Sequence, residues 1–279
     1  MDGASGVRFI GNATTLISHD GFTILTDPNF LHRGERAHLG YGLTTRRLRD
    51  PAIDIAELPP LDAVVLSHMH GDHWDHVASD GLDKDLPILT TGHAARRLHR
   101  EGFGNARGLR AWRDHELRKG DHSLTVTALP ARHAPGPAQY LLPPVMGSML
   151  EFSGPDDRVD LRIHISGDTL LDPRLGQIAT RFPDIDLAIV HLGGTRILGM
   201  MLVTMDAEQG TEWVRLIDPR EVLPIHYDDY DVFTSSLEDF HDRMDEAGLA
   251  DRIRYVDRGE TYPIGHRTGA DGNIGRTHY

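Results

Sequence analysis

Short apolar runs, most of them ending in a polar cluster, set the pattern of this chain. Near the N-terminus, Val7-Arg8-Phe9-Ile10, Thr15-Leu16-Ile17-Ser18 and Phe22-Thr23-Ile24-Leu25 are rich in β-branched and aromatic residues and predict strands. Gly11-Asn12 and His19-Asp20-Gly21 separate them as hairpin turns. From Asp27-Pro28 to about Pro60 the pattern is irregular, and a stretch of that length usually serves a function or links units. Ala63-Val64-Val65-Leu66 is short and apolar enough to be a buried strand. Ile88-Leu89-Thr90 predicts a strand leading into a helix near Ala94–Glu101. Leu124–Leu129, Leu161–Ile165, Leu187–Val190 and Val222–Ile225 predict strands, each running into polar residues. Asp206–Ile217 reads as a helix capped by Asp206, and Ser235–Ala247 as one stopped by Gly248. Strands come first and then mix with helices, without a linker, repeat or low-complexity segment. The expectation is one α/β domain over residues 1–266, with the Gly-rich, polar residues 267–279 as a loose tail.

Composition narrows the function. The 279 residues, 39% of them hydrophobic, suffice for a sizeable core. There are no cysteines, which excludes disulfides, thiolate metal sites and cysteine nucleophiles together. A net charge of −13 opposes broad binding to nucleic acid or to anionic membranes. Residues 1–20 carry no secretory pattern, and no apolar run approaches the ~18 residues of a membrane span. These features predict a cytoplasmic protein acting on a small molecule, without stable membrane insertion and with homo-oligomerisation left open. The 18 histidines change the picture, because imidazole is the commonest metal ligand.

Their arrangement carries the chemistry. Ser67-His68-Met69-His70-Gly71-Asp72-His73-Trp74-Asp75-His76 follows directly on a buried strand. In an extended segment residues two apart share a side, so His68 and His70 can grip one ion. Gly71 is expected to allow a sharp turn that sends Asp72 and His73 toward a neighbouring ion. Imidazole and carboxylate suit zinc, manganese or iron better than calcium or magnesium. Further ligands must come from elsewhere, and His133, Asp168 and His226 each stand just beyond a predicted strand. Asp75 and His76 are candidates to accept or donate hydrogen bonds to the ligand rings.

The set His-x-His-x-Asp-His at 68–73 with His133, Asp168 and His226 resembles the metallo-β-lactamase superfamily of binuclear metal hydrolases, along nearly the whole chain. The resemblance implies a four-layer αββα sandwich, two mixed sheets flanked by helices, with the metals at one edge. It implies that His68, His70 and His133 bind a first ion, that Asp72, His73 and His226 bind a second, and that Asp168 bridges them. Ile24-Leu25-Thr26-Asp27-Pro28 resembles the family's first motif, whose aspartate, here Asp27, supports the site without binding metal. Leu58–His68 and the arginine-rich loop are similar to the N-acyl-phosphatidylethanolamine phospholipase D-like branch, and the general layout to the ascorbate-6-phosphate lactonase-like branch. Asn12 stands where a histidine is common, and Tyr227-Asp228-Asp229-Tyr230 replaces the usual residues after the last ligand.

The reaction expected is hydrolysis by a hydroxide bridging two divalent ions, zinc first, with Asp72 and Asp168 as catalytic carboxylates. Such ions sit ~3.5–4 Å apart and bring a water's pKa toward neutrality. The arginines of residues 33–49, Arg46 and Arg47 among them, suit phosphate and favour a phosphodiester or phosphate-bearing substrate. Hydrolysis of a lactone or amide at the same metals is the alternative, and a non-catalytic metal or ligand sensor a third. Arg196, Tyr227 and Asp229 complete the expected substrate contacts, and the apolar Arg196–Leu202 segment reads equally as a lid, as core packing or as an oligomer contact.

Overall fold

Alternation along the strands decides the layering. The computed structural model describes residues 5–197, 199–265, 267, 268, 273 and 274. Strands β1 (Gly6–Gly11), β2 (Thr14–His19) and β3 (Phe22–Thr26) form an antiparallel meander. Within it Val7, Phe9, Ile17 and Ile24 face one hydrophobic cluster while Ile10, Leu16 and Leu25 face another. The stretch after Asp27 is not wholly irregular: β4 (Arg36–Gly40) and β5 (Leu43–Arg46) pair as a hairpin, and Ile55–Glu57 forms a single 3-10 turn.

The first sheet continues in parallel through β6 (Ala63–Val65), β7 (Ile88–Thr91) and β8 (Ala106–Leu109). Helices α1 (His76–Gly81) and α2 (Gly92–Arg100) lie in the two crossovers, and Ala78, Ala94, Ala95 and Leu98 cover the sheet's outer face. The second sheet opens with antiparallel β9 (Asp114–Lys119), β10 (His122–Leu129), β11 (Gly147–Ser153) and β12 (Val159–Ile165). After helix α3 (Gly176–Arg181) it adds β13 (Leu187–His191) in parallel. A two-residue-per-strand hairpin follows, β14 (Arg196–Ile197) with β15 (Met201–Leu202). Helix α4 (Ala207–Ile217) then leads to parallel β16 (Glu221–Ile225), and α5 (Leu237–Glu246) comes after it. Strand β17 (Thr261–Pro263) returns to the free edge of β1.

The two sheets pack face to face over Phe9, Ile24 and Leu89 from one and Val126, Phe152, Ile163 and Ile189 from the other. Trp213, Val214, Phe240 and Met244 of α4 and α5 cover the outer face of the second sheet. The result is the expected αββα order, with helix, sheet, sheet and helix as successive layers. Most of the expected tail falls outside the described residues; within it, 267–268 pair with 273–274. No helix among the described residues is long and apolar enough to cross a membrane.

Candidate metal centre

The ends of β3, β6, β10, β12, β13 and β16 deliver polar residues to one edge of the sandwich. Just past β6 the chain stays extended through His68 and His70. His68 Nε2 lies 3.0 Å from His70 Nδ1, and His133 Nε2 lies 3.1 Å from the same atom. On two of the three rings the far nitrogen is occupied: His133 Nδ1 donates to the Val203 carbonyl at 2.9 Å, and His68 Nδ1 meets Ser67 Oγ at 2.9 Å. Those contacts orient the rings and leave lone pairs facing one point. Zn–N bonds of ~2.0–2.1 Å in a tetrahedral shell place ligand nitrogens about 3.3 Å apart, so the trio fits a cation.

Beside it, Asp72 Oδ2 lies 3.5 Å from His226 Nε2 and 3.9 Å from His73 Nε2. Asp168 Oδ1 lies 3.4 Å from His73 Nε2, and Asp168 also groups with His68, a member of the first trio. Asp168 Oδ2 accepts a hydrogen bond from Thr204 Oγ1 at 2.8 Å, which leaves Oδ1 for the interior of the site. His73 Nε2, His226 Nε2, Asp72 Oδ1 and Asp168 Oδ1 are buried without a hydrogen-bond partner. Buried polar atoms are rarely left so, and this many on one cluster fit bound cations.

Behind the ligand set, Asp27 Oδ2 faces His73 Nδ1 at 3.1 Å and His191 Nε2 at 3.4 Å, while Oδ1 accepts from the Ser67 backbone N–H at 2.6 Å. Asp27 thus holds a ring and the start of the His-rich segment. His226 sits in the left-handed backbone region, φ 64°, fixed by its N–H to the Asn12 carbonyl and by its Nδ1 to the Leu192 carbonyl. Asn12 Nδ2 in turn donates to the Asp72 carbonyl at 2.6 Å.

Electrostatics separates the two halves. Burial and the neighbouring rings hold His68 far below the ordinary histidine range and bring His70 down to about 3. Burial likewise lowers His133. These three are neutral imidazoles, the form that binds metal. For His73 and His226 burial also disfavours charge, but Asp168, Asp72 and (for His73) Asp27 override it and raise both. Burial opposes ionisation of Asp27, yet His73 and His191 bring it to about 2. The carboxylates thus favour positive charge at His73 and His226 in the metal-free chain, a role that a divalent ion would take over with release of protons.

Several expected residues do other work. Asp75 touches no ligand ring; it caps α1 through the Ala78 N–H at 2.8 Å and accepts from the backbone of Phe30 and Leu31 and from Asn29. It braces the loop under the site. His76 is exposed on α1. Gly71 makes no positive-φ turn: a Cβ there would lie 2.6 Å from the His38 backbone nitrogen, and its N–H donates to the His38 carbonyl. Its smallness lets the β4–β5 hairpin dock beside the metal ligands.

Arg47 is fully buried, 3.1 Å from Asp229 Oδ1, and donates to Asn29 and to the Arg49 carbonyl. Asp229 also holds the Asn12 N–H and Arg258. Both are internal struts, unavailable to substrate. Arg46 is more than half exposed and faces Asp231. Tyr227 packs with the cluster outside the second sheet, and burial there pushes its hydroxyl up to about 12.

A cavity of about 250 Å³ opens on His70, Asp72, His133 and Asp168. Leu39, Leu43, Ile197, Val203 and Val232 make its walls apolar, and Arg196 stands at one side, 3.4 Å from Asp206. Both hairpins, β4–β5 and β14–β15, thus flank the candidate ligands, whereas none of residues 227–231 lines this cavity. His191 and Thr204 were not anticipated. His191 follows a strand as His133 and His226 do, so the same rule marks it; Thr204 gives no signal, being one of many threonines in the chain.

Two face-to-face sheets with helices outside and a buried His/Asp cluster at one edge define a metallo-β-lactamase fold. The chain belongs to the beta-lactamase superfamily, whose domain profile matches residues 23–227. A metal-dependent hydrolase of Deinococcus radiodurans is 27% identical over 258 residues, covering 91% of this chain and 97% of that protein. The crystal structure of an isothiocyanate hydrolase from Delia radicum gut bacteria superposes with a TM-score of 0.76 at 21% identity, over 93% of this chain and 99% of that one. A metallo hydrolase of Ignicoccus hospitalis gives 0.69 at 21% identity, over 94% and 98%.

Proposed function

We propose that this chain is a metal-dependent hydrolase with two divalent ions, one among His68, His70 and His133 and one among Asp72, His73 and His226, with Asp168 between them. Zinc fits the donors best, and manganese or iron also suit them. The observation that carries this reading is the set of partnerless nitrogen and oxygen atoms buried at the strand ends. Ions so held would acidify a water and stabilise an oxyanion.

The chain's own part is to orient and to exclude. Thr204 fixes one Asp168 oxygen, Asp27 fixes His73, and the Val203 and Leu192 carbonyls fix His133 and His226. Asp72 Oδ1 is buried without a hydrogen-bond partner and is suited to take a proton from the attacking water. The apolar walls keep bulk water out, which strengthens every charge interaction inside.

The same walls favour a small, mostly apolar substrate with an electrophilic carbon, a lactone, ester or amide. Arg46 and Arg47, the residues that suggested phosphate, are engaged elsewhere. Arg196 is the one arginine or lysine on the cavity wall among the described residues, and it favours a second reading, a phosphate-bearing substrate. The metal-loaded protein should turn over short lactones or aryl esters faster than bis-p-nitrophenyl phosphate. Activity confined to the phosphodiester would reverse that ranking.

A further inference from the structure

A second constellation of imidazoles and carboxylates lies at the other ends of the same strands. β2 begins with Thr14, whose hydroxyl donates to the Asp27 carbonyl beside the metal centre, and ends at His19. β10 begins at His122 and leads toward His133; β12 begins at Val159 and leads toward Asp168. At ~3.3 Å per residue, strands of this length put the two groups on the order of 20 Å apart.

His19 Nε2 lies 3.6 Å from Asp20 Oδ2 and 3.7 Å from Asp160 Oδ1. The three ligand atoms all lie within 4.8 Å of one another. His122 Nδ1 stands 3.3 Å from the same Asp20 oxygen. The His19 ring is buried, edge-on to Phe152 at the end of the inter-sheet core, while the Asp20 and Asp160 side chains are partly buried. The catalytic cluster provides an internal scale: its nitrogen–oxygen separations across the cavity run from 3.4 to 3.9 Å. The His19 set has the same donor types at the same spacing. Asp20 occupies the left-handed region, φ 47°, in the β2–β3 turn, which brings its carboxylate back over the strand end.

We propose that His19, Asp20 and Asp160, with His122 as an outer or fourth ligand, form a separate site for one divalent transition-metal ion, zinc-like in its preference for imidazole and carboxylate. His19 and Asp20 belong to the first sheet and His122 and Asp160 to the second, so the ion staples the two sheets at the end remote from the cavity. Its role is structural. The site does not depend on the assignment of the dinuclear centre.

The test compares wild type with Asp160→Asn, an isosteric change at a partly exposed position, and with His122→Gln as a milder second variant. Each protein is stripped with chelator and titrated with zinc by calorimetry, and its melting temperature is read with and without micromolar zinc. Asp160→Asn should bind one ion fewer per chain than wild type and keep hydrolytic activity within about twofold. His122→Gln should weaken that one binding step. An Asp168→Ala protein should lose ions at the other end and retain this one, so the two assignments fail separately. Equal zinc stoichiometry in wild type and Asp160→Asn, with both folded, would overturn the proposal.

Discussion

Single atoms govern how this site is poised. Asp168 can offer Oδ1 inward because Thr204 holds Oδ2. Thr204→Val keeps the shape and removes that bond. Loss of such a supporting contact usually costs ~10–100-fold in metal affinity or activity. We expect that range in a competition titration with a chromophoric chelator; unchanged affinity would mean that Thr204 merely packs. Asp168→Ala should go further and abolish binding of at least one catalytic ion and nearly all turnover, as read by metal analysis and steady-state rates. A histidine outside the metal cluster contributes to the acid limit. His164 on β12 is buried against Trp213, and burial brings its pKa to about 3. Between its unfolded pKa of about 6.5 and that value, the unfolded chain binds a proton that the folded chain does not. Its contribution to stability is therefore unaffected above pH 6.5 and falls below it, by up to about 1.4 kcal/mol per pH unit. Urea unfolding at pH 7 and pH 5 should show a shallower acid loss in His164→Leu than in wild type; equal slopes would refute the assignment.

At the scale of elements, the hairpin β4–β5 is where sequence and structure part. Its residues Arg36-Ala37-His38-Leu39-Gly40 alternate without a continuous apolar face, and Arg36 and His38 point to solvent. The pairing is made by docking on Gly71, a contact between residues far apart in sequence that no local pattern encodes. β9, Asp114–Lys119, is equally silent: a polar edge strand recruited by β10. By contrast β3, β6, β13 and β16 are buried on both faces, so they read as plain apolar runs, and candidate ligands stand just beyond β6 and β16. That is why the candidate ligands stand out in the sequence while the burial of Arg47 does not. Ligand identity follows from residue type and strand position, whereas the fate of Arg47 depends on Asp229, distant in sequence and fully buried. Gly71→Ala tests the docking. The added methyl meets the His38 backbone at 2.6 Å, and overpacking of this kind costs about 1–3 kcal/mol. Because the hairpin supplies Leu39, Leu43 and Thr44 to the cavity, KM should rise several-fold while the bound ions remain. A variant with unchanged KM and lowered metal content would place the effect on the ligands instead.

For the whole molecule, the candidate metal centre draws its residues from both sheets of the sandwich. His68, His70, Asp72 and His73 follow the first sheet's β6, whereas His133, Asp168 and His226 follow strands of the second. Any ion bound by both groups ties the sheets together. Without cations, neutral rings crowd one half of the centre, and protonated His73 and His226 must balance buried carboxylates in the other. An ion that binds only the folded chain stabilises it by about 4 kcal/mol at a concentration a thousandfold above its Kd. For a chain of this size that corresponds to a melting temperature on the order of 10 °C higher. The staple at His19 would add to this, so the measurement belongs in the Asp160→Asn background, where metal content should approach two ions per chain. There, chelation should lower the melting temperature by that order, and zinc should restore it. A chelated protein that melts where the loaded one does would mean that the sheets are held by their core alone, and that the edge cluster binds its ions too weakly to act as a joint.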